Sequence, residues 1–303
     1  MQEIFTCKAW ALETRFFHRI SPLVLHRFQN GRDLSMLINN SHLKNAETPS
    51  TELVANVVGS WDRKLGMYVY ENEDSGQRIA EVPLIGTLTK YGGMCSYGSM
   101  QYKGMINRAN ASKKIDAIVM VVDGPGGSVA GTTELGNAIH DSEKPIISFV
   151  DGMAASAHYW VTSQSDYIVA NVEEYSEVGS IGVLCMLMNE KDWLVQEGIK
   201  VEIMRADQSV DKALLNSVEE WPQASLDQLQ KELNKTAEDF KSAVLRGRGD
   251  RLNTSLENIF TGKMYDKETA QELGMIDYQD TLASTVMLAM DIASARKKHT
   301  LVN

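Results

Sequence analysis

Ile146–Trp160 reads IISFVDGMAASAHYW. Ile146–Val150 is a short, mostly apolar run that looks like a buried strand. Asp151 and Gly152 interrupt it, and three small residues, Ala154, Ala155 and Ser156, follow before aromatic and apolar residues resume at helical spacing. A small hydroxyl residue where a strand hands over to a helix is well placed for a nucleophile. The first turn of a helix leaves backbone N–H groups unpaired, and the positive end of the helix dipole favours nearby negative charge. Taken alone, the stretch is read more simply as a helix cap at Ser156. The surrounding chain decides between the two.

Upstream, Ile115–Val122 (IDAIVMVV) is apolar and largely β-branched, as in a strand covered on both faces. It runs into Asp123-Gly124-Pro125-Gly126-Gly127-Ser128, and a helix is predicted over Thr132–His140. Strand, helix, strand, helix in this rhythm predicts parallel βαβ units with right-handed crossovers. Further upstream, Ile79–Leu84 alternates like a strand, kinked at Pro83 and continued by Ile85–Leu88, and Gln101–Ala111 is a predicted helix. Downstream, strands are predicted at Tyr167–Ala170, Val178–Met186 and Lys200–Met204, with a helix at Asp192–Glu197. Ser225–Arg246 repeats Leu226, Leu229, Leu233, Ala237, Phe240 and Val244 at three- and four-residue steps, a long amphipathic helix capped by Ser225. Lys267–Leu273 is a helix ended by Gly274, and the tail is helical from Thr281 to about Ala295. The expected class is α/β with a mostly parallel sheet. The expected organisation is an N-terminal arm and linker over 1–77, the main domain over 78–280, and a C-terminal helix and tail over 281–303. In the arm, Leu23–Phe28 and Leu34–Leu37 suit short helices, and His18, His26 and His42 are expected on surfaces.

The 303 residues are 43% apolar and 23% charged, the make-up of a globular chain with a sizeable core. A formal charge of −10 disfavours general nucleic-acid binding. No apolar run reaches the ~18–20 residues that cross a bilayer, and the charged N-terminus makes a poor signal peptide. Cys7, Cys95 and Cys185 give neither a disulfide framework nor metal-ligand spacing, so an intracellular setting without metal or cofactor is expected.

Three pieces carry chemistry. The two glycines of Asp123–Gly127 let the backbone approach a ligand with its N–H groups outward, either as an oxyanion hole or as a tight turn. The segment lacks the Gly-x-Gly-x-x-Gly and Gly-Lys-Ser/Thr patterns of nucleotide sites. Ser156 is the second piece. Lys212 is the third; a lysine acts as general base only where burial or a sealed site lowers its pKa.

Together these residues resemble the signal peptide peptidase A family of serine proteases. The matching segments are Asp-Gly-Pro-Gly-Gly (123–127), Ala-Ser-Ala-His-Tyr-Trp (155–160), Tyr-Ile-Val-Ala-Asn (167–171), Gly-Ser-Ile-Gly-Val (179–183), Gly-Ile-Lys-Val-Glu-Ile (198–203), Lys212-Ala213 and Phe-Thr-Gly-Lys…Leu-Gly-Met-Ile-Asp (260–277). They span about two thirds of the chain in the family's order. The resemblance implies a crotonase/Clp-protease-like fold of repeated ββα units. It implies Ser156 as nucleophile, Lys212 as general base, Ser180 orienting the lysine, and an oxyanion hole from the N–H groups of Gly126 or Gly127 and Ala157. It gives His158 no catalytic role. It also implies a peptide or protein substrate and a homo-oligomeric ring with active sites near subunit boundaries. A soluble chain of this length with its own N-terminal arm is most similar to the phage prohead protease branch. That branch acts on scaffold, capsid or portal proteins in the host cytoplasm or the prohead. The alternatives are a soluble bacterial relative, an inactive assembly protein, and a crotonase-type acyl-CoA enzyme. Two departures stand out: Gly124 replaces the family's usual hydroxyl residue, and the segment before Lys212 is longer.

Overall fold

The computed structural model describes residues 10–12, 56–93 and 96–302. The arm helices, His18, His26, His42, Cys7 and Cys95 lie outside the described residues.

The strands in chain order are β1 (Trp10–Leu12), β2 (Val57–Asp62), β3 (Met67–Asn72), β4 (Arg78–Ile85), β5 (Ala117–Gly124), β6 (Gly126–Ser128), β7 (Ile146–Ala155), β8 (Tyr167–Asn171), β9 (Glu177–Gly179), β10 (Met264–Asp266) and β11 (Tyr278–Asp280). The helices are α1 (Ser99–Ala111), α2 (Thr132–His140), α3 (Ala157–Thr162), α4 (Lys191–Gln196), α5 (Gln223–Arg248), α6 (Lys267–Glu272) and α7 (Leu282–Val302). Among the described residues, nine strands form one sheet in the order β10-β9-β7-β5-β4-β3-β2, with β8 on β7 and β11 on β8. The pairs β4–β5, β5–β7, β7–β8, β7–β9 and β8–β11 are parallel. The fold is therefore α/β with a mostly parallel sheet.

β5 shows why the sheet needs cover on both sides. Ile118, Met120 and Val122 join one buried cluster with residues of α1, α2, α3 and α5. Ala117, Val119 and Val121 join a second cluster with Val286, Ala289 and Met290 of α7. Successive side chains of a strand point to opposite faces, so an all-apolar run fits only a sheet sandwiched between helices.

Regular structure begins before Arg78. β2 and β3 form a hairpin that pairs antiparallel with β4, adding an antiparallel edge to the sheet. Pro83 makes no break, because β4 continues to Ile85. β3 pairs with β4 only at residues 78–80, so beyond them β4 has an edge without a ladder to donate to, where proline is tolerated. β7 runs through Gly152 to Ala155 by a bulge: Val122 faces Val150, and two residues later Gly124 faces Ala154. The four-residue step on β7 absorbs Asp151–Met153 and bends the strand. Its first half then pairs with β8 and its second half with β9.

Other expectations change at element ends. The strand expected over Val178–Met186 is only β9, and Lys200–Met204 is irregular. α5 starts at Gln223 with Pro222 as its N-cap rather than Ser225. α7 extends to Val302. Gly274 takes φ +70 just after α6, as a helix-ending glycine does. α5 is fixed at its end by Arg248, fully buried, whose guanidinium donates to both oxygens of Asp277 at 2.9 Å and to the Gly274 carbonyl. Phe240 of α5 stacks on Trp160 of α3 at 4.6 Å between ring centroids. Among the described residues, no helix is long and apolar enough to cross a membrane.

Candidate active site

Three neighbouring parallel strands end side by side. Gly124 at the end of β5 faces Ala154, and Ala155 at the end of β7 faces Gly179 at the end of β9. Ser156 follows β7 directly and Ser180 follows β9 directly. The fold thus places Ser156 between the Gly124–Gly127 loop and the Gly179–Gly182 segment. Loops at the carboxyl ends of parallel strands are where α/β sheets hold ligands.

Ser156 is fully buried and takes φ +56, ψ −118, a left-handed conformation that an L-residue adopts at a cost of roughly 1–3 kcal/mol. Two contacts hold it there: its N–H donates to the Gly179 carbonyl at 2.8 Å, and its Oγ donates to the Gly182 carbonyl at 3.4 Å. It occupies the cap position of α3, yet its side chain makes no capping hydrogen bond. The simple cap is therefore not the reason for a serine here. Ala157 is the first residue of α3, so its N–H has no partner within the helix.

Ser180 repeats the pattern, with φ +53, 5% exposure and its N–H on the Lys263 carbonyl at 2.8 Å. The two candidate serines are therefore brought to adjacent strand ends, each in a left-handed turn.

Both glycines of the loop are dictated by geometry. Gly126 has φ +101. A Cβ on Gly127 would lie 1.8 Å from the Leu88 carbonyl oxygen. The Gly126 carbonyl accepts from Leu88 N–H at 2.9 Å, and Ser128 N–H donates to the Leu88 carbonyl at 2.8 Å. By alternation, the N–H and C=O of Gly127 face the opposite edge, where β1 pairs antiparallel with β6 and sets Ala11 opposite Gly127.

His158, expected on a helix surface or in a pocket, is in a pocket: it is 1% exposed. Its Nδ1 accepts the Gly126 N–H at 3.1 Å, and its Nε2 makes no hydrogen bond. Burial pushes the imidazole down to about 3, so it is neutral. A Cβ on Gly124 would lie 2.2 Å from His158 Nε2 and 2.6 Å from the Gly86 carbonyl oxygen. The glycine at 124, where the resemblance leads one to expect a hydroxyl residue, leaves the room that the ring occupies. Beside the loop, burial raises the pKa of Asp123, whose Oδ1 accepts from the Met153 N–H at 3.2 Å.

Lys212 lies elsewhere in character. It is exposed, in the irregular tract between α4 and α5. Its N–H donates to the Ser209 carbonyl and its own carbonyl accepts from Arg205 Nε at 2.6 Å. Its ammonium makes no hydrogen bond or ion pair among the described residues. By contrast, Lys191 pairs with Glu220 at 3.1 Å and Lys200 with Glu202 at 3.8 Å. Within one chain, Ser156 Oγ bonds a carbonyl rather than a lysine.

The sequence profile of peptidase family S49 matches residues 138–296, just over half of the chain. A protease-named protein of Methanocaldococcus jannaschii is 31% identical over 178 residues, 58% of this chain and 56% of that protein. Protease 4 of Salmonella typhi is 28% identical over 202 residues, 64% of this chain and 31% of that one. Capsid assembly protease C of Escherichia phage lambda is 24% identical over 229 residues, 72% of this chain and 50% of that one. The chain thus spans between about a third and just over half of these relatives' lengths. Among solved structures, a membrane-bound stomatin-specific protease bound to a substrate peptide aligns with 65% of this chain and 75% of its own at 17% identity and a TM-score of 0.37. The matched span holds Ser156, Ser180 and Lys212, and the chain belongs to peptidase family S49.

Proposed function

We propose that the protein is a serine endopeptidase in which Ser156 is the nucleophile and Lys212 the general base. The observation that carries this reading is Ser156 itself: a buried serine in a strained turn, between a glycine loop and a helix start, in a chain of a peptidase family. In the proposed reaction Ser156 Oγ attacks the scissile carbonyl as the lysine takes its proton. Outward N–H groups of Gly127 and Ala157 hold the oxyanion, and the leaving amine receives the proton from the lysine. Water then releases the acyl group from Ser156 by the same two groups. Ser180, one strand over, orients the lysine. The Gly127 edge carries an extended stretch, β1, so it accepts an extended chain, and in the proposed reaction the substrate takes the place of β1 there.

The base is supplied between copies. Lys212 is exposed and unpaired, and its tract leaves Trp193, Val195, Ile199, Val201, Met204 and Val210 between 47% and 92% exposed. We read this tract as the contact between subunits of a homo-oligomeric ring, which brings Lys212 to a neighbour's Ser156 and shields it from water. Similarity to the lambda capsid protease favours capsid, scaffold or portal proteins as substrates during phage head maturation. Mixing inactive Ser156→Ala with inactive Lys212→Ala and reassembling tests the whole scheme. Sites built across subunits restore roughly a quarter of wild-type activity in the mixture. A mixture that stays inactive at full assembly removes the shared site, and a wild type that cleaves no denatured protein removes the protease.

A further inference from the structure

The sequence resemblance leaves His158 without a task, yet the structure gives it a specific one. It is buried, and it is two residues beyond Ser156, so it moves with the nucleophile turn. Its Nδ1 takes the N–H of Gly126, the first residue of β6. This is a bond between the helix that follows the nucleophile and the loop on the other side of it. We propose that His158 is a positioning residue for the oxyanion pocket: by holding the Gly126 N–H it fixes the Pro125–Gly126 peptide, and with the Leu88 N–H that holds the Gly126 carbonyl it sets both peptides flanking Gly126 and hence the direction of the Gly127 N–H. The inference rests on the protease reading and deepens it.

The geometry supports this in three ways. Gly126 at φ +101 belongs to a backbone with wide freedom; Leu88 N–H holds its carbonyl side at 2.9 Å, and His158 is the hold on its N–H side. With both peptides flanking Gly126 held, its φ and ψ are set, and the Gly127 N–H points opposite to the Gly126 carbonyl across their shared trans peptide. Gly124 and His158 also fit as a pair, because the imidazole fills the space a side chain at 124 would need. The neutral ring must carry its proton on Nε2 to leave Nδ1 free as acceptor, and the burial of the ring keeps it neutral. Nε2–H then has no partner among the described residues, a cost the fold accepts here.

Two substitutions separate positioning from mere filling of space. Asparagine at 158 can offer its Oδ1 where Nδ1 sits; leucine is of comparable bulk but offers no acceptor. With a peptide substrate, His158→Leu is expected to lower kcat about 100-fold with KM within about threefold, the pattern of a misaimed oxyanion donor. His158→Asn is expected to recover at least a tenth of the wild-type kcat. Equal kcat in wild type and His158→Leu overturns the proposal, as does a fall in His158→Asn as deep as in His158→Leu with both folded. If His158→Leu does not fold, the asparagine variant alone decides by the same tenfold limit. Nitrogen-15 NMR of the histidine rings in the wild type reads the anchor without any activity. An unprotonated Nδ1 beside a protonated Nε2 is expected, and a protonated Nδ1 overturns the anchor. Loss of wild-type activity with the expected tautomer present removes the protease reading and, with it, the catalytic purpose of the anchor, while leaving the anchor in place.

Discussion

The surroundings of Ser156 and those of Lys212 differ in almost every physical respect. Around Ser156, three strand ends are locked in register, the side chains are buried, and the backbone is held in a conformation it would not choose alone. Around Lys212 there is no ladder, and the contacts are side chain to backbone, with Arg205 bound to the Lys212 and Ala213 carbonyls and to Glu219. Large apolar residues there face water. The first region is finished within one chain. The second has the composition of an interface and the geometry of a segment whose partner surface lies beyond the chain. On the proposed reading, the difference means that half of the chemistry is built by folding and the other half by assembly.

The sharpest way to break this comparison is activity set against stability. Ser156→Ala and Lys212→Ala are each expected to lower peptide cleavage by about 10⁴-fold or more. Because Lys212 is exposed, its replacement should leave the unfolding midpoint unmoved. Cleavage at the wild-type rate by Lys212→Ala would detach the irregular tract from the site altogether.

Two arginines sharpen it next. Arg248→Ala strips a fully buried ion pair and leaves Asp277 only the longer Arg251 contact at 3.4 Å, so denaturant unfolding should show a loss of about 3 kcal/mol. Arg205→Ala removes the Glu219 pair on the open tract and should leave the unfolding midpoint in place while altering oligomer size. Equal destabilisation by the two would mean that the tract is as integral to the folded chain as the body.

Acid gives a smaller effect, confined to the body. His158 has a folded pKa depressed to about 3 by burial, against an ordinary value near 6.5 in the unfolded chain. Between these values the unfolded chain binds a proton that the folded chain does not. Stability attributable to this group is therefore unchanged above about pH 6.5 and falls as pH drops below it, by at most about 1.4 kcal/mol per pH unit. His158→Asn should lose that share of the slope in unfolding measurements from pH 7 to pH 5. An identical slope would show that the ring is solvated.

Much of the body was legible in the residues. α2 runs over Thr132–His140 as its spacing predicts, and β5 carries the two-faced burial that its apolar run requires. β7 was harder, because a bulge and a loop look alike in sequence: Asp151 and Gly152 end an apolar run in either case. Lys200–Met204 alternates like a strand but pairs with no strand among the described residues, and an isolated strand does not hold in water. The hairpin of β2 and β3 was missed because its alternation is mixed with polar residues and glycine. The Gly126–His158 bond joins residues 32 positions apart, so no local pattern could reveal it.

The left-handed turn at Ser156 has a consequence for how such a chain can change. Glycine would adopt φ +56 without penalty, so Ser156→Gly should melt higher than the wild type, by about 1 kcal/mol in unfolding free energy, while cleaving nothing. At this position a search for heat resistance alone would steadily discard the enzyme. On the proposed reading, a serine is kept here by selection for turnover rather than for durability.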